Sequence, residues 1–487
     1  MIFHRIPKCQ DCSVKVRSFG AGAMKKTENI RDEGFRNYAL QANMWAVLLK
    51  TGTPLAFYQA LNTLYKMLDS LMASHINAEA VSAVAYLSQI NITVSSIGMG
   101  LAIGSSLKIS EAYGAGNYEL VGRRVGNLFA LCALLDAVLL FSIPFTPAIL
   151  RFAGTPEELI HIGGTYFAVE MTGLAVTFFN NAYIAVERAR GNTKRIFCLN
   201  MAVIAIKLSL TAFFVYILHS GITMIALASV ISQLFLMVNG LYHIMKKGSA
   251  FRLSAENLRL KKEIVLPLLQ LSLPVIAEKA AFSAGKVIVN SMCSVYGALT
   301  VGALGISNNI TGIFSNAQSG YQEGCSAIIS QNLGGKKPER ALEAFRKIFI
   351  INLIFGSLGL MISLVSINTL SYLYAYSSEG LNVEFQNIIR NIFKYDSLGT
   401  IVPWGISASV MAFMYSLGET RKILFINVCR LFLFRILLLW CLQRFTSMGS
   451  ESVGIVMMAS NSLTAVLACV LAVFDVRNFC RKNQLAF

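Results

Sequence analysis

The chain has 487 residues, of which 55% are hydrophobic and 14% charged, and its mean hydropathy is +0.59. Because soluble domains carry about 25% charged residues, this composition excludes an ordinary soluble protein and indicates an integral membrane protein. The formal charge of +17 does not indicate a nucleic-acid partner, since the basic residues are concentrated in alternate loops between apolar stretches.

The apolar stretches predict an all-α membrane protein with about twelve transmembrane helices, because each is long enough to cross about 30 Å of hydrocarbon. The first begins near Met44 and is too long for the apolar region of a cleavable signal peptide, so no such peptide is predicted. The predicted spans, with boundaries good to a few residues, are 48–74, 81–107, 125–150, 164–186, 196–218, 222–245, 264–294, 300–330, 346–374, 392–417, 423–443 and 452–474.

Lys and Arg fill every second connection between these spans. The basic segments are the N-terminal tail, Arg123 and Arg124, 188–195, 246–262, 336–347, Arg421 and Lys422, and 477–482. By the positive-inside rule these segments are cytoplasmic. Both termini are therefore expected inside, in a multi-pass protein of the plasma (inner) membrane.

The longest basic connection lies midway along the chain and divides the spans into two sets of six. We call the helices before it the N-lobe and those after it the C-lobe. The predicted domains are a cytoplasmic tail (1–44), the N-lobe (45–245), a cytoplasmic linker (246–263), the C-lobe (264–476) and a second cytoplasmic tail (477–487).

The two lobes form an internal repeat. One match joins GNTKRI at 191–196 to GETRKI at 418–423. A longer match, which has no gaps, has a slightly different offset. Because each lobe holds an even number of spans, the repeats run in the same direction, about an axis along the membrane normal. Such a duplication can serve packing alone, or it can provide two rigid bodies that rock about a central site. In the longer match, Pro274 falls on Pro54, Lys286 on Lys66, Gly320 on Gly100, Gly324 on Gly104 and Gly334 on Gly114.

Polar side chains recur at helical spacing in the first two spans of each lobe. In the first span they are Gln59, Asn62, Lys66 and Asp69; in the second, Ser82, Tyr86, Gln89, Thr93 and Ser96; in the seventh, Lys279, Ser283, Lys286 and Asn290; in the eighth, Asn308, Thr311, Ser315, Gln318 and Gln322. Such polar faces must point away from lipid. A single stripe of this kind can simply hold neighbouring helices together by hydrogen bonds. Paired stripes in both lobes predict a cavity wall, for which the candidates are Gln59, Asn62, Tyr86, Gln89, Thr93, Glu278, Lys286, Asn308, Gln322 and Glu323.

Asp69 and Lys66 are the leading candidates for an ion-coupling site. An ionisable side chain at membrane depth costs about 2.5–3.5 kcal/mol on insertion scales and is a functional candidate for that reason. Three interpretations remain open: an internal ion pair, a proton or sodium site at Asp69, or an acid facing an outer vestibule. Lys66 has a counterpart in Lys286, whereas Asp69 falls on Val289. The functional prediction therefore rests mainly on Asp69.

Other chemical groups in the sequence are interpreted as structural. The lone pair Cys9 and Cys12 lies in a polar tail and indicates a disordered segment rather than a metal site. No nucleotide-binding loop, zinc signature or nucleophile constellation is present, so we expect neither an enzyme nor a cofactor other than the coupling ion. Five ionisable residues within spans, Asp136, Glu170, Lys207, Asp396 and Arg435, are interpreted as structural or interfacial.

Several sequence motifs resemble the multidrug and toxic compound extrusion (MATE) family. They are LYKMLDSLMAS at 64–74 after Pro54, GMGLAIGSSLKISEAYGAGNYE at 98–119, its repeat as GALGISNNI and SAIISQNLGGKKPE, and the turns GNTK and GETR. The resemblance covers nearly everything after about residue 45.

This resemblance implies secondary active export, by alternating access, of small organic, often cationic and drug-like, compounds in exchange for H⁺ or Na⁺. It places Asp69 where many members have an ion-coupling Asp. The chain departs from the family pattern at Lys66, where Asn is frequent, and at Lys207 and Thr211, where one branch has Asn and Asp. Glu278 lies one turn before the Glu of another branch. Because Lys66 and Lys286 would repel a cation unless acids neutralise them, an anionic or zwitterionic substrate is also compatible.

The sequence predicts a transporter that works as a monomer in the lipid bilayer, and two alternative functions remain open. One is a flippase for a lipid-linked precursor, which would use a two-lobed cleft with cationic side chains facing a phosphate. The other is a membrane scaffold that transports nothing, which would have little need for polar stripes in both lobes.

Overall fold

The computed structural model describes the backbone of residues 33–73, 78–152, 157–246, 248–377 and 380–485. Within these ranges the side chains of 66–73, 78–86, 88, 89, 152, 157–159, 161–163, 377 and 380 lie outside the description. Cys9 and Cys12 also lie outside it.

The described chain is almost entirely helical. Residues 33–41 form a first helix, α1. The N-lobe then consists of α2 (Met44–Ala73), α3 (Ala78–Gly114), α4 (Tyr118–Ser142), α5 (Thr146–Phe152), α6 (Glu157–Arg190), α7 (Thr193–Ala212) and α8 (Ile222–Met245). A 3-10 turn (Ile143–Phe145) joins α4 to α5, and a π-helical turn (Phe213–Ile217) extends α7.

The C-lobe repeats this arrangement. It consists of α9 (Lys262–Cys293), α10 (Ala298–Gly334), α11 (Pro338–Ala375), α12 (Val383–Ser416), α13 (Thr420–Val428), α14 (Leu437–Phe445) and α15 (Glu451–Asn483). A π-helical segment (Cys429–Ile436) makes α13 and α14 one continuous span. A 3-10 turn (Ser294–Tyr296) follows α9, and a small hairpin of β1 (Tyr376–Ser377) and β2 (Gly380–Leu381) follows α11.

The predicted fold class, all-α with about twelve membrane helices in two lobes, is confirmed. Within the described residues, nine helical segments are long and apolar enough to cross a membrane. Most helices extend beyond the predicted spans; α11, for example, begins at Pro338 rather than near residue 346. Its first turns are rich in charge, so an apolar pattern locates only the part within hydrocarbon, while Pro at the first helical position favours the earlier start.

The sequence repeat reappears as a symmetric set of helix contacts between the lobes. Gly104 of α3 packs against the backbone of Ser272 in α9, and Gly324 of α10 packs against Gly52 in α2. The repeat places Gly324 on Gly104 and Ser272 on Gly52, so each contact is the symmetry mate of the other. A Cβ atom at Gly104 would overlap Ser272, so the absent side chain allows the close approach of the two helices.

A second pair of contacts lies where α3 and α10 meet at their C-terminal ends. A Cβ atom on Gly114 would overlap the carbonyl oxygen of Gln331, and one on Gly334 would overlap that of Glu111. Gln331 and Glu111 are themselves equivalent in the repeat. The pseudo-twofold axis therefore passes between the ends of α3 and α10.

The repeated turns also have the same conformation. Gly191 and Gly418 have φ of +83° and +82°, a region that glycine adopts without a steric penalty. Nine residues after each glycine, a buried asparagine donates to the carbonyl four residues earlier, at 2.8 Å for Asn200 and 3.3 Å for Asn427. The predicted match of GNTKRI to GETRKI therefore corresponds to one local structure built twice.

The segment predicted as an N-terminal tail contains a helix that contacts both lobes. On α1, Arg36 Nε donates to the carbonyl of Gly114 at 3.0 Å, and the ring of Phe35 packs on Gly191. On the other side, Arg340 of the C-lobe donates to the carbonyl of Ala42 at 2.7 Å. We call this end of the bundle, where α1, the 188–195 turn and the start of α11 meet, the basic face.

The linker between the lobes is docked rather than extended. Asn127 of α4 donates to the carbonyls of Asn257 and Arg259, both at 3.2 Å. Phe251 is buried, and its ring centroid lies 5.0 Å from that of Tyr113. These contacts hold the connection against the N-lobe at the basic face.

Candidate functional site

Helices of the C-lobe line a polar cavity of about 270 Å³ roughly midway along their length. Helices α9, α10, α12 and α15 and the π-helical segment all contribute to its wall. Polar and charged side chains could not be hydrated in hydrocarbon, so their convergence on this cavity indicates a place for water or a polar ligand. The charged members of the lining are Glu278, Lys279, Lys286, Asp396, Arg430 and Arg435.

The π-helical segment brings two arginines to this cavity. Arg430 lies ten residues after the start of α13, or about 15 Å along the helix at 1.5 Å per residue. In a regular α-helix, Arg430 and Arg435 would point about 140° apart. The wider π turn brings them nearer to one face, and π turns occur frequently at functional sites. Both side chains are buried, with 5% and 6% of their surface exposed.

Arg430 lies against two aromatic rings. Its Cζ atom is 4.3 Å from the ring centroid of Phe282 on α9 and 4.7 Å from that of Trp404 on α12. Trp404 is itself fixed, because its Nε1 donates to Ser315 O at 3.1 Å and Ser319 Oγ at 3.2 Å. Cation–π contacts with these rings stabilise a guanidinium without using its N–H donors.

Asp396 and Arg435 belong to one hydrogen-bond network. Asp396 is buried and accepts hydrogen bonds from the hydroxyls of Ser307 (2.7 Å), Thr311 (3.1 Å) and Thr400 (2.6 Å). Asn461 connects the acid to the base, since it donates to Thr400 at 2.8 Å and accepts from Arg435 at 3.1 Å. Arg435 also donates to Ser460 at 3.2 Å.

Glu278 is shared between this cavity and a smaller one of about 60 Å³ at the lobe interface. It accepts from Lys279 Nζ at 3.0 Å and from the hydroxyl of Tyr415 at 2.7 Å. Residues of both lobes line the smaller cavity, including Ser106 of α3 and Arg188 of α6. The two cavities therefore adjoin, and they connect the interior of the C-lobe with the contact surface between the lobes.

An ion pair joins the lobes beside the smaller cavity. Arg188 Nη2 lies 2.6 Å from Glu323 Oε2, and the side chains are 10% and 22% exposed. The neighbouring Gln331 donates to the carbonyl of Ala189 at 2.8 Å. Charge and hydrogen bonding thus reinforce the glycine contacts near the basic face.

The structure brings five of the predicted cavity residues together. Glu278, Lys286 and Asn308 line the larger cavity, and Gln322 and Glu323 line the smaller one together with Glu278. Their role in binding a substrate remains a prediction.

Other predicted residues lie elsewhere or cannot be placed. In the described part of the chain, Gln59, Asn62 and Thr93 are not in the lining of either cavity. Gln318, from the same stripe as Asn308, instead donates to the carbonyl of Ile401 at 3.0 Å. The side chains of four further candidates, Lys66, Asp69, Tyr86 and Gln89, lie outside the described residues.

Sequence reasoning missed the most distinctive residue of the site. The sequence pattern does not distinguish Arg430, and it predicts structural or interfacial roles for Asp396 and Arg435. The spacing of the two arginines does not fit an α-helical stripe, and only the π-helical segment makes them neighbours. A signal was present nevertheless, because two arginines inside one apolar span are rare and each needs a polar environment.

Comparison with known proteins agrees with this architecture. The chain is 23% identical over 362 residues to the probable multidrug resistance protein YoeA of Bacillus subtilis (strain 168), which covers 72% of this chain and 78% of the relative. A solved structure of MATE in complex with MaL6 superposes with a TM-score of 0.86 at 17% identity, covering 91% of this chain and 99% of that chain. A transporter of the MOP superfamily from Pyrococcus furiosus, reported with a binding pocket of reversed polarity, superposes with a TM-score of 0.84 at 17% identity, covering 91% of this chain and 98% of that chain.

At these identities the solved structures show a shared fold. The family itself is shown by the MatE family model, which matches once in each lobe, at residues 54–213 and 274–441. The predicted resemblance is thereby confirmed: the chain is a multi-pass membrane protein that belongs to the MATE family of transporters.

Proposed function

We propose that this protein is a secondary active transporter that exports small organic compounds in exchange for H⁺ or Na⁺. The observation that carries the proposal is the symmetric interface between the lobes, in which Gly104 and Gly324 each lie against a helix of the opposite lobe. Glycine contacts of this kind carry no interlocking side chains, so two rigid lobes can rock against each other about the cavities. The name of the Bacillus relative supports organic compounds as substrates.

In this proposal the basic face is cytoplasmic and is closed in the present conformation. The contacts of Gly114 and Gly334 and the pair Arg188–Glu323 hold the lobes together near this face. The positive-inside rule supports a cytoplasmic location for it and for both termini. The protein then resides in the plasma (inner) membrane and functions as a monomer, since each chain contains both lobes.

Asp69, with Lys66 one turn before it, remains our candidate for ion coupling. Binding of a proton or sodium ion by Asp69 would alter the charge inside α2, the helix that packs against α10 of the other lobe through Gly320 and Gly324. Such a change would bias the lobes toward one of two arrangements, as alternating access requires.

The test is transport by the purified protein in proteoliposomes. A fluorescent dye that the parent protein moves is followed with an imposed proton gradient, with an imposed sodium gradient and with neither. We expect one gradient to drive transport, and Asp69→Asn to abolish the response while leaving folding and membrane insertion unchanged. Gradient-independent movement would argue against ion exchange, and unchanged driven transport in Asp69→Asn would remove that residue from coupling.

A further inference from the structure

The charge of the C-lobe cavity is unusual for a site that would receive a cation. Four basic side chains line it, Lys279, Lys286, Arg430 and Arg435, against two acids, Glu278 and Asp396. Both acids are occupied by partners within the wall. Glu278 accepts from Lys279 and Tyr415, and Asp396 accepts from three hydroxyls.

Arg430 is a lining residue whose hydrogen-bond donors are not all paired within the cavity wall. It is 5% exposed, yet among the described residues neither its Nε nor its Nη1 has a hydrogen-bond acceptor. Burying an arginine with unfilled donors is unfavourable. The contacts with Phe282 and Trp404 offset part of this cost through the face of the guanidinium, but the N–H groups of Nε and Nη1 are left without an acceptor.

We infer that the C-lobe cavity binds the oxyanion group of a small organic anion, with Arg430 as the principal contact. A guanidinium presents its N–H donors in a planar fork that matches a carboxylate or phosphate group. Lys286, which shares the ring of Phe282 with Arg430 at 5.2 Å from its centroid, supplies a second positive charge at the same cavity. This inference rests on the proposed export function only for its meaning as a substrate site.

The size of the cavity restricts the ligand. Sites for small molecules usually occupy about 300–1,000 Å³, and this cavity, of about 270 Å³, lies just below that range. It is suited to a small organic acid or phosphate ester rather than to a large head group. The aromatic and apolar lining from Phe282, Trp404 and Met457 gives an alkyl or aryl portion a place to pack.

The arginine belongs to one lobe only. In the repeat defined by the matched turns, the position of Arg430 corresponds to Val203 in the N-lobe, which is buried. Gly285 provides the room for the arrangement, because a Cβ there would overlap the side chain of Leu431, next to Arg430. The site is therefore a specialised feature of the C-lobe rather than a product of the shared packing.

Trp404 provides a direct reporter of binding. The chain has three tryptophans, and the other two, Trp45 and Trp440, are 37% and 50% exposed. Replacing both by phenylalanine leaves Trp404 as the single tryptophan. The purified full-length protein in a neutral detergent is then titrated with hexyl phosphate, hexanoate and hexyltrimethylammonium, which share an alkyl chain and differ in head-group charge.

We expect hexyl phosphate and hexanoate to change Trp404 emission saturably and hexyltrimethylammonium to leave it unchanged. Arg430→Gln should weaken anion binding at least tenfold, and Arg430→Lys should weaken it less because the charge is kept and the fork is lost. Arg390→Gln removes a charge from an exposed position of the same lobe and should leave binding unchanged. Saturable binding of the ammonium compound, or equal anion affinity in Arg430→Gln, would overturn the inference.

Two further readouts keep the result decisive. If Arg430→Gln fails to fold, as judged by gel filtration, Lys286→Gln tests the same charge from a second position and should also lower anion affinity. Binding in detergent requires no gradient. Anion binding without driven transport would therefore support this site and refute export. Driven transport of a cation without anion binding would refute this site and support export.

Discussion

Arg188 of the N-lobe and Glu323 of the C-lobe form an ion pair at 2.6 Å across the interface between the two lobes. The repeat offers no symmetric copy of this contact, since Glu323 falls on Ile103 in the N-lobe. The pair is therefore an asymmetric contact that stabilises an otherwise symmetric interface, and it lies beside the small cavity that both lobes line.

Glu323→Gln should loosen the basic face. Because the side chains are 10% and 22% exposed, the pair is worth less than a fully buried one, and we expect a shift of about tenfold toward the open arrangement, or about 1.4 kcal/mol. The readout is maleimide labelling of a cysteine placed at Ser106, which lines the small cavity. Labelling should be faster when Glu323→Gln is added.

The matched control is Glu419→Gln, which removes one partner of an ion pair within the C-lobe, with Lys422 at 3.4 Å. It leaves the interface intact and should not alter the labelling rate at position 106. Equal acceleration by both variants would show that the effect arises from general destabilisation rather than from the contact between the lobes.

Gly320→Ala should lower stability because a Cβ at this position would lie 2.6 Å from the backbone nitrogen of Ala56 in α2. Overpacking of this kind costs about 1–3 kcal/mol, and the neighbour is backbone, which cannot move aside alone. Gly100→Ala, the symmetry mate, would place its Cβ 2.6 Å from Cγ1 of Ile276 and should have a similar effect. The measurement is thermal unfolding in detergent followed by circular dichroism.

Gly305 provides the control on the same helix as Gly320. A Cβ added at Gly305 meets no described atom within 4 Å. Gly305→Ala should therefore be neutral or stabilising by up to about 1 kcal/mol, the gain expected from replacing glycine within a helix. A loss of stability as large as that of Gly320→Ala would contradict the assignment of the close helix contact.

Arg340→Ala should loosen the attachment of α1 to the C-lobe. Arg340 donates to the carbonyls of Ala39 and Ala42 at 3.3 and 2.7 Å, whereas Arg36 holds the same helix to Gly114 of the N-lobe. Hydrogen–deuterium exchange of residues 33–41 should become faster in the variant, because exchange reports local opening. Arg346→Ala, at an exposed position further along α11, should leave exchange in this helix unchanged.

Much of the architecture followed from the sequence because membrane helices and repeats leave strong patterns. The matched glycines at 100 and 320 and at 104 and 324 predicted a duplicated fold, and their contacts show why these positions lack side chains. In the structure Asn308 of the α10 polar stripe lines a cavity, whereas Gln318 of the same stripe points toward α12 and donates to the carbonyl of Ile401. Helical spacing defines a face of one helix and does not identify which neighbour covers it.

The arginine site could not be predicted in the same way. Its geometry depends on the π-helical segment (Cys429–Ile436), and the rings of Phe282 and Trp404 come from helices far apart in the chain. The sequence predicts a structural role for Asp396, because a single acid in a span gives no sign of its partners. Its three hydroxyl donors come from two helices, and Ser307 and Thr311 precede it by more than eighty residues.

Asp396→Asn should change stability and anion binding in opposite directions. The carboxylate accepts hydrogen bonds from Ser307, Thr311 and Thr400. The asparagine amide has the same shape but accepts only at its oxygen, because its nitrogen is a donor. Hydrogen bonds to charged groups contribute about 1.5–3 kcal/mol each in proteins, although those between membrane helices average nearer 0.6 kcal/mol. We therefore expect a stability loss of about 1–3 kcal/mol. The substitution also removes a negative charge from the wall of the Arg430 cavity.

Binding of hexyl phosphate to Asp396→Asn should consequently become several-fold tighter, while the melting temperature in detergent falls. Ser307→Ala is the matched control, because it removes one donor to Asp396 without changing the charge of the cavity. It should lower the melting temperature by a smaller amount and leave the affinity for hexyl phosphate unchanged. Weaker anion binding in Asp396→Asn would mean that the acid positions Arg435 through Thr400 and Asn461, and that this positioning outweighs its charge.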